Sequence, residues 1–158
     1  MSHTIESPRT VRFLVIGRTK ATEFLPVVAF LQSLVAEDSQ SQYSESLSVD
    51  SERMARRNNQ PDMIVVLQSH PDEFDECDVQ YLISEYPLSR LVCCYGTWCE
   101  SIRRTRHAWP LACCVPIRNT ICRIKQDLQA IHSQQNPLPL TASRTESFEY
   151  TAKENTES

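Results

Sequence analysis

Cysteines are the most concentrated source of potential chemistry in this sequence. The 158 residues include seven of them: Cys77, Cys93, Cys94, Cys99, Cys113, Cys114 and Cys122. Thiolates suit tetrahedral zinc sites together with an imidazole such as that of His107, and Cys94 and Cys114 come close if their strands are neighbours. However, adjacent cysteines in a strand point to opposite faces, and no C-x-x-C pair occurs. We therefore predict buried core thiols, with no metal and no other cofactor.

Cys99 is the thiol with the strongest case for reactivity. It follows Gly96 and Trp98 at the predicted ligand-facing edge, and Arg103 and Arg104 at helical spacing would lower its pKa. The preferred interpretation is an ordinary surface or half-buried cysteine beside a basic helix. A small thiol-dependent or metal-binding protein that uses Cys99 and neighbouring cysteines at the sheet edge is kept as the alternative function.

Basic residues and one aromatic residue form a cluster: Arg103, Arg104, Arg106, His107 and Trp109. Such a cluster could bind phosphate or single-stranded nucleic acid through charge and stacking. The chain as a whole is acidic, with a net charge of −4. We therefore expect a solvated helix face or a protein-docking surface there, and no nucleic acid as a partner.

A group of acidic residues precedes a predicted helix: Asp72, Glu73, Asp75, Glu76 and Asp78. The group lacks the glycine and the spacing of a calcium-binding loop. Carboxylates before a helix are stabilised by its dipole, so we interpret these residues as the start of a helix.

Hydrophobic periodicity predicts strands that alternate with helices. The predicted strands cover residues 11–16, 43–49, 61–68, 91–95 and 111–115. The predicted helices cover residues 22–35, 51–58, 78–86, 97–107 and 118–132. The third strand is a short apolar run rich in β-branched residues, which is typical of the middle of a parallel sheet. Because right-handed crossovers place helices on both faces, we predict an α/β fold, a three-layer sandwich with a central parallel five-stranded sheet.

The chain is predicted to form one domain with two extensions. Residues 1–8 are a flexible N-terminal arm, residues 9–133 the α/β domain, and residues 134–158, rich in Ser, Thr and Glu, a disordered tail. No apolar segment approaches the ~20 residues of a membrane span, and the N-terminus lacks the pattern of a secretory signal. We expect a cytoplasmic protein that does not bind membranes.

The predicted domain resembles the receiver domain of two-component response regulators, which has a flavodoxin-like fold. The resemblance covers residues 9–133 and rests on the order and length of the elements and on three short segments. These are Gln60-Pro61-Asp62 before the third strand, Glu85-Tyr86-Pro87 before the fourth strand and Val115-Pro116 after the fifth strand. The resemblance implies a receiver-type fold with its functional residues at the strand ends.

Nearly all working residues of a receiver are missing from the positions that the resemblance assigns to them. The paired acids that hold magnesium fall on Gly17 and Arg18. The phosphoacceptor aspartate falls on Leu67 or, with a shift of one residue, on Gln68. Phosphoryl transfer needs a nucleophilic carboxylate and acids that hold a hard cation, and none of these four side chains supplies either.

The fourth and fifth strand ends depart from the receiver pattern as well. The switch Thr or Ser falls near Tyr95 or Gly96, and the lysine before the last proline falls on Val115. The resemblance therefore implies a degenerate phosphorylation pocket with no catalytic residues. Its members are Gly17, Arg18, Leu67, Gln68, Tyr95, Gly96, Val115 and Pro116.

The resemblance implies a non-enzymatic, non-phosphorylatable protein-interaction module in signalling or regulation. In receivers the fourth helix, fifth strand and fifth helix form the docking surface, which places the candidate interface within residues 97–129. Its candidate anchors are aromatic and arginine side chains: Trp98, Arg103, Arg104, Arg106, Trp109 and Arg123. We expect a protein partner, and a homodimer is compatible with this surface. A small-anion binder at Gly17 or Gly96 is disfavoured because the chain has no Gly-rich phosphate loop.

Overall fold

The computed structural model describes residues 11–37, 41–49, 60–70, 72–100, 109–110 and 113–133. For Trp98 and Glu100 it describes the backbone alone. Four predicted segments lie outside the described residues: the arm 1–8, the helix 51–58, the basic segment 101–107 and the tail 134–158.

Strands and helices alternate along the described chain. In order they are β1 Arg12–Gly17, a 3-10 turn Thr22–Phe24, α1 Leu25–Glu37, β2 Gln42–Ser46, β3 Met63–Gln68, α2 Glu76–Glu85, β4 Arg90–Tyr95, the single helical turn α3 Thr97–Glu100, β5 Cys114–Pro116 and α4 Ile117–His132. The prediction placed β2 at 43–49 and β5 at 111–115, so both strands are shorter than expected and β5 ends one residue later. Among the described helices, none combines the length and the apolar character that crossing a bilayer requires.

The strands form one all-parallel sheet in the order β2-β1-β3-β4-β5. The third strand lies at its centre, where Val65 pairs with Val15 of β1 and with Val92 of β4. All residues of β3 are buried, as expected for a β-branched apolar run between two parallel neighbours. The predicted α/β class and the parallel five-stranded sheet are confirmed. The strand order is compatible with a flavodoxin-like fold.

Helices cover both faces of the sheet. Successive residues of a strand point to opposite faces, so β3 contributes to two separate hydrophobic clusters. Val65 shares one cluster with Leu31 of α1 and Ile124 of α4. Val66 shares the other cluster with Leu82 of α2. We call these the α1/α4 face and the α2 face, and with the sheet between them the described residues form three layers.

Local sequence sets the start of two helices. The carboxylate of Asp75 accepts a hydrogen bond from the N–H of Asp78 at 2.8 Å, and the carboxylate of Asp78 accepts one from the N–H of Asp75 at 3.3 Å. This reciprocal capping box satisfies N–H groups that a helix start leaves without partners, and α2 begins at Glu76, two residues before the predicted start. Helix α4 follows Pro116, whose missing N–H costs nothing at a helix start.

Buried charges fasten α4 to the start of β4. Asp127 lies 3.5 Å from Arg123, one turn earlier on α4, and 3.5 Å from Arg90, the first residue of β4. The exposed fractions of Asp127 and Arg123 are 3% and 6%. One carboxylate thus faces two guanidinium groups in the protein interior, where a charge without its counterion is strongly destabilising.

Candidate functional site

The ends of the parallel strands meet at one edge of the sheet, which is the usual location of functional residues in this fold class. Gly17 at the end of β1 pairs with Leu67 of β3, and Gln68 pairs with Tyr95 at the end of β4. Tyr95 pairs in turn with Pro116 of β5. The structure therefore brings Gly17, Leu67, Gln68, Tyr95 and Pro116, which were predicted to belong to one pocket, to the same edge of the sheet. We call these strand ends and the loops that follow them the carboxyl edge.

Gly17 closes the carboxyl edge on the β1–β3 side through a backbone contact. Its φ of +124° lies in a region that favours glycine. A Cβ atom at this position would come within 2.5 Å of the carbonyl oxygen of Leu67. Any side chain here, including the carboxylate that a receiver carries, therefore requires the backbone to move.

Gln68 connects the loops of the carboxyl edge. Its Oε1 accepts a hydrogen bond from the Cys93 thiol at 3.5 Å, and its Nε2 donates one to the carbonyl oxygen of His70 at 3.1 Å. The carbonyl oxygen of Gln68 accepts hydrogen bonds from the N–H of Gly96 at 2.9 Å and from the Cys99 thiol at 3.6 Å. Gln68 is buried. The last side chain of β3 is therefore a neutral amide whose oxygen and nitrogen are both hydrogen-bonded.

Glu73 fixes the loop that follows β3. Its Oε2 accepts hydrogen bonds from the N–H and the hydroxyl of Ser69, both at 2.8 Å, and from the N–H of His70 at 3.3 Å. The sequence analysis treated Glu73 only as part of the acidic start of a helix. The sequence did contain a usable pattern, which is Ser69 just after a strand followed by Glu73 four residues later. Short polar side chains and carboxylates often form the hydrogen bonds of such turns.

Glu23 lies over the end of β4. A Cβ atom at Gly96 would come within 2.5 Å of a Glu23 carboxylate oxygen. Sequence reasoning missed Glu23 because it assigned residues 22–35 to one helix, whereas Thr22–Phe24 form a separate 3-10 turn. Glu23 and Glu73 are therefore two acidic groups at the carboxyl edge that the pattern of the sequence did not reveal.

Cys99 is buried near these two acids. Burial, assisted by the negative charges of Glu73 and Glu23, raises the pKa of the Cys99 thiol to about 11. A reactive thiol requires a lowered pKa, and burial moves the pKa of Cys99 in the opposite direction. Arg103 and Arg104, which the hypothesis of a reactive Cys99 invoked, lie outside the described residues.

Cys93 and Cys94 point to opposite faces of β4, as predicted. Cys94 lies on the α1/α4 face and accepts a hydrogen bond from the Thr120 hydroxyl at 3.1 Å. Burial raises the pKa of Cys94 to about 12. Cys93 lies on the α2 face and pairs with Cys114, while Cys94 pairs with Val115. The expected neighbour of Cys114 was Cys94, and the register of β5 makes it Cys93.

The zinc alternative can be compared with the arrangement of these thiols. Within the described part of the chain, no group of three or more His, Cys, Asp or Glu side chains is arranged to hold a metal ion. His107, the imidazole considered with the cysteines, lies outside that part. The described geometry therefore offers thiol pairs and hydrogen bonds rather than a ligand set.

Two candidate interface residues belong to the core, which corrects the prediction that they are surface anchors. Trp109 is 4% exposed, and its ring meets that of Phe74 edge to face with centroids 5.9 Å apart. Arg123 is buried because Asp127 compensates its charge. The other candidates fall where no side chain is described: Trp98, Arg103, Arg104 and Arg106.

Comparison with known proteins adds no relative. No family model, no curated protein and no solved structure matches the chain. The arguments about function therefore rest on the residues, the strand order and the geometry of the carboxyl edge.

Proposed function

We propose that this chain is a receiver-like protein-interaction module that takes up no phosphoryl group. The observation that carries the proposal is the end of β3, where Leu67 is fully buried and Gln68 is hydrogen-bonded at both ends of its amide. These are the positions that the resemblance assigns to the phosphoacceptor, and neither an alkyl group nor an amide is a nucleophile for phosphoryl transfer. The receiver-type identity of the fold is part of the same proposal, and the order β2-β1-β3-β4-β5 supports it.

The end of β1 supports the same function. Gly17 has no side chain, and Arg18 after it is exposed and cationic. Magnesium requires oxygen ligands, which neither side chain supplies. Without a bound cation, the negative charge of a transferring phosphoryl group is not neutralised.

The two acids at the carboxyl edge act in this proposal as groups that hold loops in place. Glu73 accepts three hydrogen bonds from Ser69 and His70. These bonds hold the first two residues of the loop after β3 against Glu73, which lies further along the same loop. Glu23 extends its carboxylate over Gly96. Both carboxylates thus shape the edge, and neither is the terminal side chain of a strand, where a receiver carries its phosphoacceptor.

Since the carboxyl edge takes up no phosphoryl group in this proposal, the domain acts by binding a partner through its outer surface. The candidate interface within residues 97–129 keeps Arg103, Arg104 and Arg106 as proposed anchors, since arginine side chains are frequent hot spots of protein interfaces. Trp109 and Arg123 contribute to the core instead. We expect the partner to be a protein with an acidic surface, because the anchors that remain are cationic.

The phosphorylation half of the proposal is tested with a small phosphodonor. The full chain is incubated with acetyl phosphate and magnesium, beside an active receiver domain as positive control, and the intact mass is measured before and after the incubation. We expect no mass increase for this chain, and no change in its near-UV circular dichroism with beryllofluoride and magnesium. An acid-labile phosphoryl group on any Asp or Glu would disprove the proposal.

The interaction half is tested by a crosslinking pull-down from cells that contain the protein. The charge reversal Arg103→Glu is compared with Lys20→Glu, an exposed lysine in the loop after β1 that lies outside the candidate interface. We expect Arg103→Glu to reduce capture of the partner about tenfold, the equivalent of about 1.4 kcal/mol, and Lys20→Glu to leave it unchanged. Equal capture by both variants would remove residues 97–129 from the proposal.

A further inference from the structure

We propose that Cys93 and Cys114 form a reversible cross-strand disulfide when the protein is exposed to a peroxide. The pair is then a redox modification site at the β4–β5 side of the carboxyl edge. The proposal does not depend on the function proposed above, because it rests on the geometry of two strands. It uses two thiols other than Cys99. Burial raises the pKa of the Cys93 thiol as it does that of Cys99, so the proposal requires of Cys93 only a slow attack on an already oxidised Cys114.

Strand pairing brings the two cysteines together. Cys93 and Cys114 are register partners in the parallel pair β4–β5. The Cys93 thiol donates a hydrogen bond to Gln68 Oε1, and the Cys114 thiol donates one to the carbonyl oxygen of Pro110 at 3.6 Å. Adjacent strands lie about 4.8 Å apart, which falls within the range of about 4.4–6.8 Å between the Cα atoms of disulfide-bonded cysteines. Both side chains contribute to the α2 face, so the two sulfur atoms lie on the same side of the sheet.

The two thiols differ in their access to solvent. Cys93 is 1% exposed, whereas Cys114 is partly exposed. A small oxidant therefore reaches Cys114 first, and Cys93 serves as the resolving thiol. The hydrogen bond from the Cys93 thiol to Gln68 Oε1 keeps its sulfur on the α2 face.

The oxidation proceeds in two balanced steps. The Cys114 thiolate attacks one oxygen of hydrogen peroxide, the O–O bond breaks, an S–OH bond forms, and the departing hydroxide takes up a proton to become water. The sulfur of Cys93 then attacks the sulfur of Cys114. The S–S bond forms, the S–O bond breaks, and the departing hydroxide leaves as a second water with the proton of Cys93. Two thiols and one peroxide thus give one disulfide and two waters.

The geometry also predicts that this disulfide is easily reduced. The Cβ atoms of directly paired residues point the same way, so they lie about 4.8 Å apart, whereas a relaxed disulfide has them about 3.8 Å apart. Closing this gap requires one strand to shift. The three-residue strand β5 at the edge of the sheet has one neighbouring strand and is the element best able to move. Strain of this kind raises the reduction potential, as in labile regulatory disulfides.

The test is a peptide map of the oxidised full-length protein. The protein is treated with hydrogen peroxide, its remaining thiols are blocked with a maleimide, and trypsin cleaves at the arginines between Cys99 and Cys113. We expect a pair of peptides joined by a disulfide, lighter by two hydrogen atoms than the separate peptides, which dithiothreitol releases. The same treatment in urea should give a mixture of linkages, because strand pairing is then absent.

Variants assign the bond, since the peptide with Cys93 also contains Cys94 and Cys99, and the peptide with Cys114 also contains Cys113. Cys93→Ala and Cys114→Ala should abolish the linkage, while Cys94→Ala and Cys113→Ala, which change the adjacent cysteines, should retain it. Circular dichroism shows which variants are folded, and Cys→Ser replaces any Cys→Ala variant that is not. A linkage that survives in Cys93→Ala, a linkage through Cys94 or Cys113, or a Cys114 sulfinic acid beside an unoxidised Cys93 would each overturn the proposal.

Discussion

The two sides of the carboxyl edge are built in different ways. On the β1–β3 side, Gly17 brings its backbone against the carbonyl of Leu67, and the strand end that follows carries a neutral amide. On the β4–β5 side, the space over Gly96 is taken by a flexible carboxylate, that of Glu23, and the strands carry thiols at Cys93, Cys94 and Cys114. The first side is closed by backbone atoms and the second is filled by side chains.

This difference determines what each side can still do. A contact between backbone atoms does not respond to pH or to oxidants, so the β1–β3 side has a fixed shape. Thiols and carboxylates titrate, and thiols also oxidise, so the β4–β5 side keeps chemistry that solution conditions can change. The β1–β3 side of the carboxyl edge is therefore expected to be rigid, whereas the β4–β5 side is expected to change with pH and with oxidants.

The largest expected effect comes from Asp127→Ala, which acts at the start of β4, the opposite end of that strand from the carboxyl edge. The substitution leaves Arg90 and Arg123 buried without the carboxylate that lies 3.5 Å from each of them. We expect a loss of about 3–5 kcal/mol in the free energy of unfolding, the typical result of breaking a buried pair by removing one partner. Urea unfolding measures the loss, and alkylation of Cys94 should become faster because α4 no longer covers it.

Lys125→Ala is the control for this prediction. Lys125 is exposed on the same helix, and its ammonium group lies 5.6 Å from the centroid of the Phe30 ring. An exposed cation–π contact of this kind contributes about 0.5–1 kcal/mol. Equal losses in the two variants would mean that the buried charges do not fasten α4 to β4.

Substitution of the two glycines, Gly17 and Gly96, should show the clearest difference in stability between the two sides. Gly17→Ala places a Cβ 2.5 Å from a backbone oxygen at a positive φ, so we expect a loss of about 2–3 kcal/mol. Gly96→Ala meets only the end of the Glu23 side chain, which can rotate away, so we expect a loss below about 1 kcal/mol. Urea unfolding of both variants tests this order, and similar losses would show that the two sides are equally rigid.

Elements that depend on local pattern were predictable from the sequence. The apolar run at β3 and the helical spacing of Ile121, Ile124, Leu128 and Ile131 identified a central strand and the last helix, and both are confirmed. The alternation of side chains along a strand placed Cys93 and Cys94 on opposite faces, which is also confirmed. Each of these inferences needs only the period of one element.

Contacts between distant elements were not predictable in the same way. The register of β5 against β4 decides whether Cys93 or Cys94 faces Cys114, and a shift of one residue exchanges them. Arg123 is buried beside Asp127, and the spacing of four residues between them was a usable signal. The contact of Asp127 with Arg90, which lies on another element, was not predictable. Trp109 was assigned to the surface because it follows a basic cluster, and its contact with Phe74 is long-range.

The last expected effect is a loss of stability at alkaline pH that Cys94 should cause. Burial raises the pKa of Cys94 from 9.0 to about 12, so between these pH values the thiol is ionised in the unfolded chain and protonated in the folded one. The unfolded state then binds fewer protons, and the free energy of unfolding falls as the pH rises. At about pH 10, one unit above the ordinary pKa, the loss from this thiol is about 1.4 kcal/mol.

Cys94→Ala should remove this part of the alkaline decline, whereas Cys77→Ala, which changes an exposed cysteine, should leave it in place. Urea unfolding of both variants and the parent protein between neutral pH and about pH 10 measures the slope. A slope that is unchanged in Cys94→Ala would mean that the buried thiol on the α1/α4 face does not govern the response to pH. The alkaline decline would then originate elsewhere, and the same measurement on Cys93→Ala would test the buried thiol of the α2 face.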